Sequence, residues 1–426
     1  MKSESPLPTT VRLGISTCPN DTYLFHGLLE GKIETPGLRF EIELLDVQEL
    51  NERLTRGDFD VAKASFHLAL QHSDELVVLP TGSALGFGNG PLLLARSGLD
   101  GSAPGPDSRV LCPGAETTAT LLYRLYYSRS QRASAEPEQV VFSSVMPALE
   151  SGSADYGVCI HEGRFTYGEK NLCLIEDLGA AWESDTKAPL PLGGIFARRS
   201  LDDVTIDRTV DAIQRSLTYA GEHREETLLS MARYAQELDE AVIWEHVDLY
   251  VNDWTRRLGH VGEEAIRVLG NRAAASGLLQ EGQQLEIFVP QRERRLFHLV
   301  RADGAALDRS SEEVLDGYQA PSLDSEGFVH LSFADQLSGT LETHFADADR
   351  VLLLEVEREA VLGDLRLEAS RGGADFPHLY RALEPKGDVR RVWDLKPNPA
   401  TKNPTDEKGA PRWPIGERAL LIESST

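Results

Sequence analysis

His161 and Glu162 end a short apolar run inside D-Y-G-V-C-I-H-E-G-R-F-T-Y-G, residues 155–168. Imidazole is the one side chain whose unperturbed pKa lets it accept a proton near neutrality. A run of this length, bounded by Gly152 and Gly163, reads as a buried strand that delivers both ionisable groups into a loop. Open α/β sheets keep ligands at such strand ends, which makes His161 the candidate general base. The competing reading is a satisfied structural histidine at a strand end. Three further polar stretches stand at strand ends: Thr17–Asp21, with Asn20 and Asp21; Lys63-Ala64-Ser65; and Ala115–Thr118, whose Thr117 and Thr118 open an apolar helix. As parallel neighbours these four ends would converge on one rim between two lobes. Two helix N-termini at that rim favour an anionic group such as a carboxylate, although plain helix capping also accounts for the threonines.

Several elements must position these groups. Strand Val11–Ser16 is broken by Pro19 and Asn20, and Asp21 can cap a helical run over Thr22–Gly31. Alternation predicts a strand over Leu38–Leu44, then a helix over Val47–Arg56 closed by Gly57, and a short strand Phe59–Ala64. A glycine-rich loop, 82–91, precedes strand Leu92–Ala95. The polar segment Arg96–Ser108 reads as the crossover between lobes, and L-P-L-G-G-I-F-A-R (Leu190–Arg198), with its glycine hinge, as the return. Between them lie strand Arg109–Cys112, helix Ala119–Tyr127, a strand near Val140–Phe142 and helix Pro147–Ser151. A faint repeat relates Gly57-D-F-Asp60 to Gly152-S-A-Asp155, each followed by a strand; it reads either as the mark of two similar lobes or, with two copies built of small residues, as a chance resemblance. Helices dominate from Ile206 to Ser276, where Val242, Ile243, Val247 and Tyr250 recur at core spacing and Trp244 and His246 read as core with them.

The 426 residues exceed what one core usually holds. A net charge of −25 argues against a nucleic-acid partner. Cys18, Cys112, Cys159 and Cys173 match no metal spacing and read as reduced thiols, so no metal is expected. The N-terminal residues lack an apolar leader and no stretch approaches a membrane span, so a cytoplasmic protein without a membrane partner is expected.

The stretches G-I-S-T-C-P-N-D-T-Y, D-V-A-K-A-S, G-A-E-T-T-A, I-H-E-G-R-F-T-Y, L-P-L-G-G-I and V-I-W-E-H-V, in this order between about Val11 and Pro290, resemble the dihydroxynaphthoate synthases of the futalosine route to menaquinone. The resemblance implies an α/β, two-lobed fold like that of type II periplasmic binding proteins, used for catalysis. It implies a lyase that converts the carboxylate substrate cyclic dehypoxanthinyl futalosine to 1,4-dihydroxy-6-naphthoate and a small carbonyl fragment without a cofactor. It places the proton acceptor on His161 and the substrate pocket on Lys63, Ala64, Ser65, Thr117 and Thr118, to which the polar strand end itself adds Asn20 and Asp21 as substrate-binding candidates. Lys63 then reads as electrostatic support for a carboxylate or developing enolate, or else as half of a surface salt bridge. Gly163 departs from the serine common in relatives. The rival readings are the chorismate dehydratase of the same pathway and a non-catalytic binding protein for a small carboxylate.

The implied organisation is a synthase-like domain over 1–290, with lobe one at about 11–97 and 195–290 and lobe two at about 98–194. A linker over 291–295, a small α+β domain over 296–395 and a largely disordered tail over 396–426, rich in proline and charge, follow. The small domain, through Phe297-His298, G-F-V-H-L-S with His330 and F-P-H-L-Y with His378 and Tyr380, resembles an uncharacterised bacterial family grouped with ADP-ribosyltransferase-like folds. Its histidines and tyrosine suggest a polar pocket, or core and turn structure, and no activity is assigned to it. A transferase or nucleotide-binding function there is a third rival.

Overall fold

The structure is a computed structural model and describes residues 7–99, 101–127, 135–161, 163–235, 239–369, 375–397 and 413. The chain forms two units, Met1–Phe288 and Val289–Thr426.

In the first unit the strands are β1 (Thr9–Ser16), β2 (Leu38–Leu45), β3 (Val61–Ser65), β4 (Leu76–Val78), β5 (Ala84–Gly86), β6 (Leu92–Ala95), β7 (Val110–Cys112), β8 (Glu138–Gln139), β9 (Tyr156–Cys159), β10 (Cys173–Asp177) and β11 (Leu190–Arg198). The helices that matter for the site are α1 (Pro19–Leu24), α2 (Val47–Thr55), α3 (Thr118–Tyr127), α4 (Asp203–Glu222) and α5 (Glu240–Tyr250). Val11, Leu13 and Ile15 of β1 and all of β3 are buried, as strands covered on both faces require. One sheet runs β2-β1-β3-β11-β4, with β5 also on β11; the other runs β10-β6-β9-β7-β8. β1 is parallel to β2 and β3, and β7 is parallel to β8 and β9, whereas β11 and β6 run antiparallel to their neighbours. Apolar residues of α4 (Ile206, Val210, Ile213, Leu217) close one face of the first sheet against Val11, Leu13 and Ile15.

The lobe boundary differs from the expected one. β6 pairs with β9 and β10, so it belongs to the second sheet, and the chain has crossed before residue 92 rather than within 96–108. β11 is no hinge. It is an interior strand of the first sheet, with Gly193 and Gly194 opposite Ser65 and Ala64. A Cβ on Gly193 would lie 2.9 Å from the Ala64 carbonyl oxygen, so glycine is there for close approach. The repeat has a physical counterpart. Asp60 accepts the Arg12 N–H at 2.9 Å and Asp155 accepts the Arg109 N–H at 3.1 Å, and each also holds a guanidinium, Arg12 and Arg96 respectively. Both aspartates thus pin the start of a central strand to its parallel neighbour.

In the second unit β12 (Leu296–Arg301), β14 (Val351–Val356) and β17 (Val389–Leu395) form one antiparallel sheet, while β13 (Val329–His330), β16 (Asp375–Leu379) and β15 (Leu365–Ala369) form another. The stretch expected as the loop P-S-L-D-S-E-G-F-V-H-L-S holds helix Pro321–Glu326, ended by Gly327 at φ 86, and then β13. The expected linker is part of this unit: Gln291–Glu293 is a turn of 3-10 helix, Glu293 is buried, and Arg295 pairs with Glu355 at 2.7 Å. Most of the expected tail lies outside the described residues, but Trp413 is buried against Phe297, Leu337 and Leu353.

The first unit ends where Phe288 donates its N–H to Val78 and buries its ring. A chain ending at Val289 is therefore expected to unfold cooperatively on its own, whereas one ending at residue 285 loses both contacts and melts lower. Circular dichroism melts of the two lengths check this, and insolubility of the longer one would mean that the units share a core.

Candidate active site

The expected polar residues come to one cavity. β1 ends in Ser16, Cys18 turns the chain, and Pro19 takes the first position of α1, where its missing N–H costs nothing. Asn20 and Asp21 thus sit buried inside the first turn rather than ahead of it as a cap. β3 delivers Lys63, Ala64 and Ser65; the N-terminus of α3 delivers Thr117 and Thr118; the turn after β9 delivers His161. All eight line the cavity, together with Ser16, Asn89, Leu192 and, from one face of α5, His246 and Tyr250. It encloses about 670 Å³ of atom-free space up to its open mouth.

The Asp21 carboxylate accepts from the Ser16 hydroxyl at 2.6 Å, the Asn20 amide at 2.9 Å and the Lys63 ammonium at 2.8 Å. Lys63 and Asp21 are 8% and 1% exposed. The pair is therefore buried, not a surface salt bridge, and the lysine charge is already matched by a carboxylate. Asn20 turns its oxygen to Nε2 of His246 at 3.0 Å. Burial first, and then the nearby His161 and Lys63, hold the His246 pKa well below its ordinary value, so its ring is neutral near pH 7.

His161 has φ 55, the left-handed region that few non-glycine residues adopt. Its ring lies 5.0 Å from Phe142, edge to face, and 6.2 Å from His246, nearly parallel. The Cys18 sulfur sits 3.4 Å from its Nδ1 and 3.8 Å from its Nε2. Glu162 lies outside the described residues. Burial pushes the Cys112 and Cys159 thiols up to about 12.

The threonine hydroxyls are engaged within the protein. Thr117 donates to the Gly114 carbonyl and accepts the Thr120 N–H, which is helix capping. Thr118 donates to the Leu192 carbonyl at 2.7 Å and so ties α3 to β11 of the other sheet. What α3 can offer an anion is the amides of Thr118 and Ala119, which have no acceptor within the helix. Thr118→Val is accordingly expected to lower stability by about 0.5–1.5 kcal/mol, read from chemical denaturation. Unchanged stability would mean that the Leu192 bond contributes nothing.

Among the described residues no group of three or more His, Cys, Asp or Glu is placed to hold a metal ion. No helix among them is long and apolar enough to cross a membrane.

Residues 11–275 match the protein family described as menaquinone biosynthesis. A relative from Thermus thermophilus named 1,4-dihydroxy-6-naphtoate synthase is 41% identical over 268 residues, which is 63% of this chain and 95% of the relative. One of the same name from Streptomyces coelicolor is 39% identical over 272 residues, with the same two shares. The chain belongs to the menaquinone biosynthesis family. Within that family its first unit is a lyase. An Archaeoglobus fulgidus protein solved by X-ray crystallography superposes with a TM-score of 0.58 at 29% identity, covering 63% of this chain and 98% of that one. A Candida albicans protein described as having the generic periplasmic binding protein fold gives 0.51 at 12% identity, covering 67% and 98%, and speaks to fold alone. The menaquinone-family unit is thus two-lobed and periplasmic-binding-protein-like.

Residues 305–392 match a separate family described as a protein of unknown function (DUF952). In the second unit, ahead of that match, His298 is buried between the His330 carbonyl and the Tyr318 hydroxyl, and burial pushes its pKa down to about 4. His378 and Tyr380 both meet Glu368 at 2.8 Å, with Phe328 stacked on His378.

His246 and Cys18 were not singled out from the sequence. His246 lay in a stretch that carried the family resemblance, V-I-W-E-H-V, but its apolar neighbours at helical spacing read as core. Cys18 lay in a polar strand end whose other members drew the attention. Ser16 and Asn89 gave no signal.

Proposed function

We propose that the Met1–Phe288 unit converts cyclic dehypoxanthinyl futalosine to 1,4-dihydroxy-6-naphthoate, with His161 as the general base. Membership of the menaquinone biosynthesis family supports the reaction. The observation that carries the role of His161 is its position in the cavity, in the left-handed backbone region, facing residues from both sheets. Strained backbone persists where the surroundings over-determine it and clusters at functional sites.

In this reading the substrate carboxylate meets the first-turn amides of α3 at Thr118 and Ala119, the end of that helix that favours negative charge. His161 removes a proton, ring opening and carbon–carbon cleavage release the carbonyl fragment, and aromatisation of the second ring drives the sequence forward. Lys63 acts through Asp21 and Asn20 instead of directly on an enolate, since its ammonium is already paired.

The test is to incubate the full chain with cyclic dehypoxanthinyl futalosine and follow naphthoate by mass spectrometry. Stoichiometric recovery of bound, unaltered substrate would favour a binding protein instead. No reaction with this substrate but loss of water from chorismate would favour the dehydratase.

A further inference from the structure

Four residues form a chain that ends in an unused acceptor. Lys63 donates to Asp21, and the Asn20 amide N–H donates to that same carboxylate oxygen. With its N–H so engaged, Asn20 can turn only its oxygen toward Nε2 of His246. An amide oxygen accepts and never donates, so Nε2 must carry the proton, and in a neutral imidazole the other nitrogen is then bare. That nitrogen, Nδ1 of His246, is buried and has no hydrogen-bond partner among the described residues. Buried polar atoms are nearly always paired, and an exception calls for an explanation. His246 is 1% exposed and lines the cavity, with its ring beside that of His161.

We propose that Nδ1 of His246 accepts a hydrogen bond from a hydroxyl of the substrate, and that the Lys63–Asp21–Asn20 chain serves to keep that nitrogen unprotonated. This rests on the functional reading above and adds a specificity requirement to it: the ligand must carry a hydroxyl within reach of α5, near the proton that His161 removes. His246 is here a binding and positioning residue, not a second base. Its burial disfavours the imidazolium, so the ring remains an acceptor throughout turnover. A hydrogen bond made equally in the bound substrate and the transition state lowers KM and leaves kcat alone.

Two variants of the full chain separate the nitrogens. In His246→Gln the side-chain amide reaches the place of Nε2, keeps a donor for Asn20 and leaves nothing at Nδ1. In His246→Asn the shorter amide sets an oxygen where Nδ1 stood and gives up the Asn20 contact. With cyclic dehypoxanthinyl futalosine as substrate, His246→Gln is expected to melt with the wild type, to raise KM roughly ten- to hundredfold and to hold kcat. His246→Asn is expected to recover part of the lost affinity. The imidazole ¹⁵N shifts of the wild-type chain should report the Nε2–H tautomer. A wild-type KM for folded His246→Gln, or an Nδ1–H tautomer, overturns this inference alone. Absence of naphthoate from the wild-type chain overturns the functional reading and this inference with it.

Discussion

His161→Asn is expected to fold as the wild type does and to lose about a hundred- to ten-thousand-fold in turnover, the usual loss when a general base is removed. Asparagine is the informative replacement for two reasons. It keeps a hydrogen-bonding edge near Cys18 but cannot accept a proton at neutral pH. It also tolerates the left-handed backbone at φ 55 better than most residues, since its short polar side chain stabilises that conformation locally. Alanine has no polar side chain to stabilise that conformation locally and would confuse a chemical loss with a structural one. Thermal melts first establish that the asparagine variant is folded, and naphthoate formation is then timed under saturating substrate. Turnover within a few-fold of the wild type in a folded protein would remove His161 from the role of base.

Lys63→Met is expected to have the largest effect on stability. It leaves the Asp21 carboxylate, 1% exposed, with only the Ser16 hydroxyl and the Asn20 amide as donors. Removing one partner of a buried ion pair typically costs about 3–5 kcal/mol, because the remaining charge is stranded away from water. A fall in Tm on the order of 10 °C follows for a unit of this size. Adding Asp21→Asn to Lys63→Met removes the stranded charge, so the double variant should be more stable than Lys63→Met alone. Equal melts for Lys63→Met and the wild type would show that the pair is hydrated and contributes little, and the fixed orientation of Asn20 would lose its anchor.

The polar strand ends were legible because each follows an apolar run that has no other reason to stop, as at Thr17, Lys63 and His161. What they do was less legible. Thr117 and Thr118 had the right types for a ligand site, yet their hydroxyls are taken by Gly114 and Leu192. His246 finds Asn20 from 226 residues away, and no local pattern reports such a pairing. The lobe boundary was misplaced for a related reason. The run of glycine and proline in 96–108 resembles a linker, whereas the true crossing lies between β5, a strand of three residues, and β6, and elements so short have no period to read. Gly193 and Gly194 suggested a hinge because glycine permits bending, but Gly193 serves equally to let β11 and β3 approach, and only the neighbouring carbonyl distinguishes the two.

The position of β11 between β3 and β4 also orders events on the ribosome. Strands β1 to β5 emerge first, yet their sheet lacks an interior member until Leu190–Arg198 has been made. The second sheet is contiguous, from Leu92 to Asp177, and all its strands are available before then. Contacts between residues far apart in sequence form slowly because the intervening chain must first be closed into a loop. The lobe that begins the polypeptide is therefore the last to be completed, and during synthesis the apolar edges of β3 and β4 wait uncovered for a partner more than a hundred residues downstream.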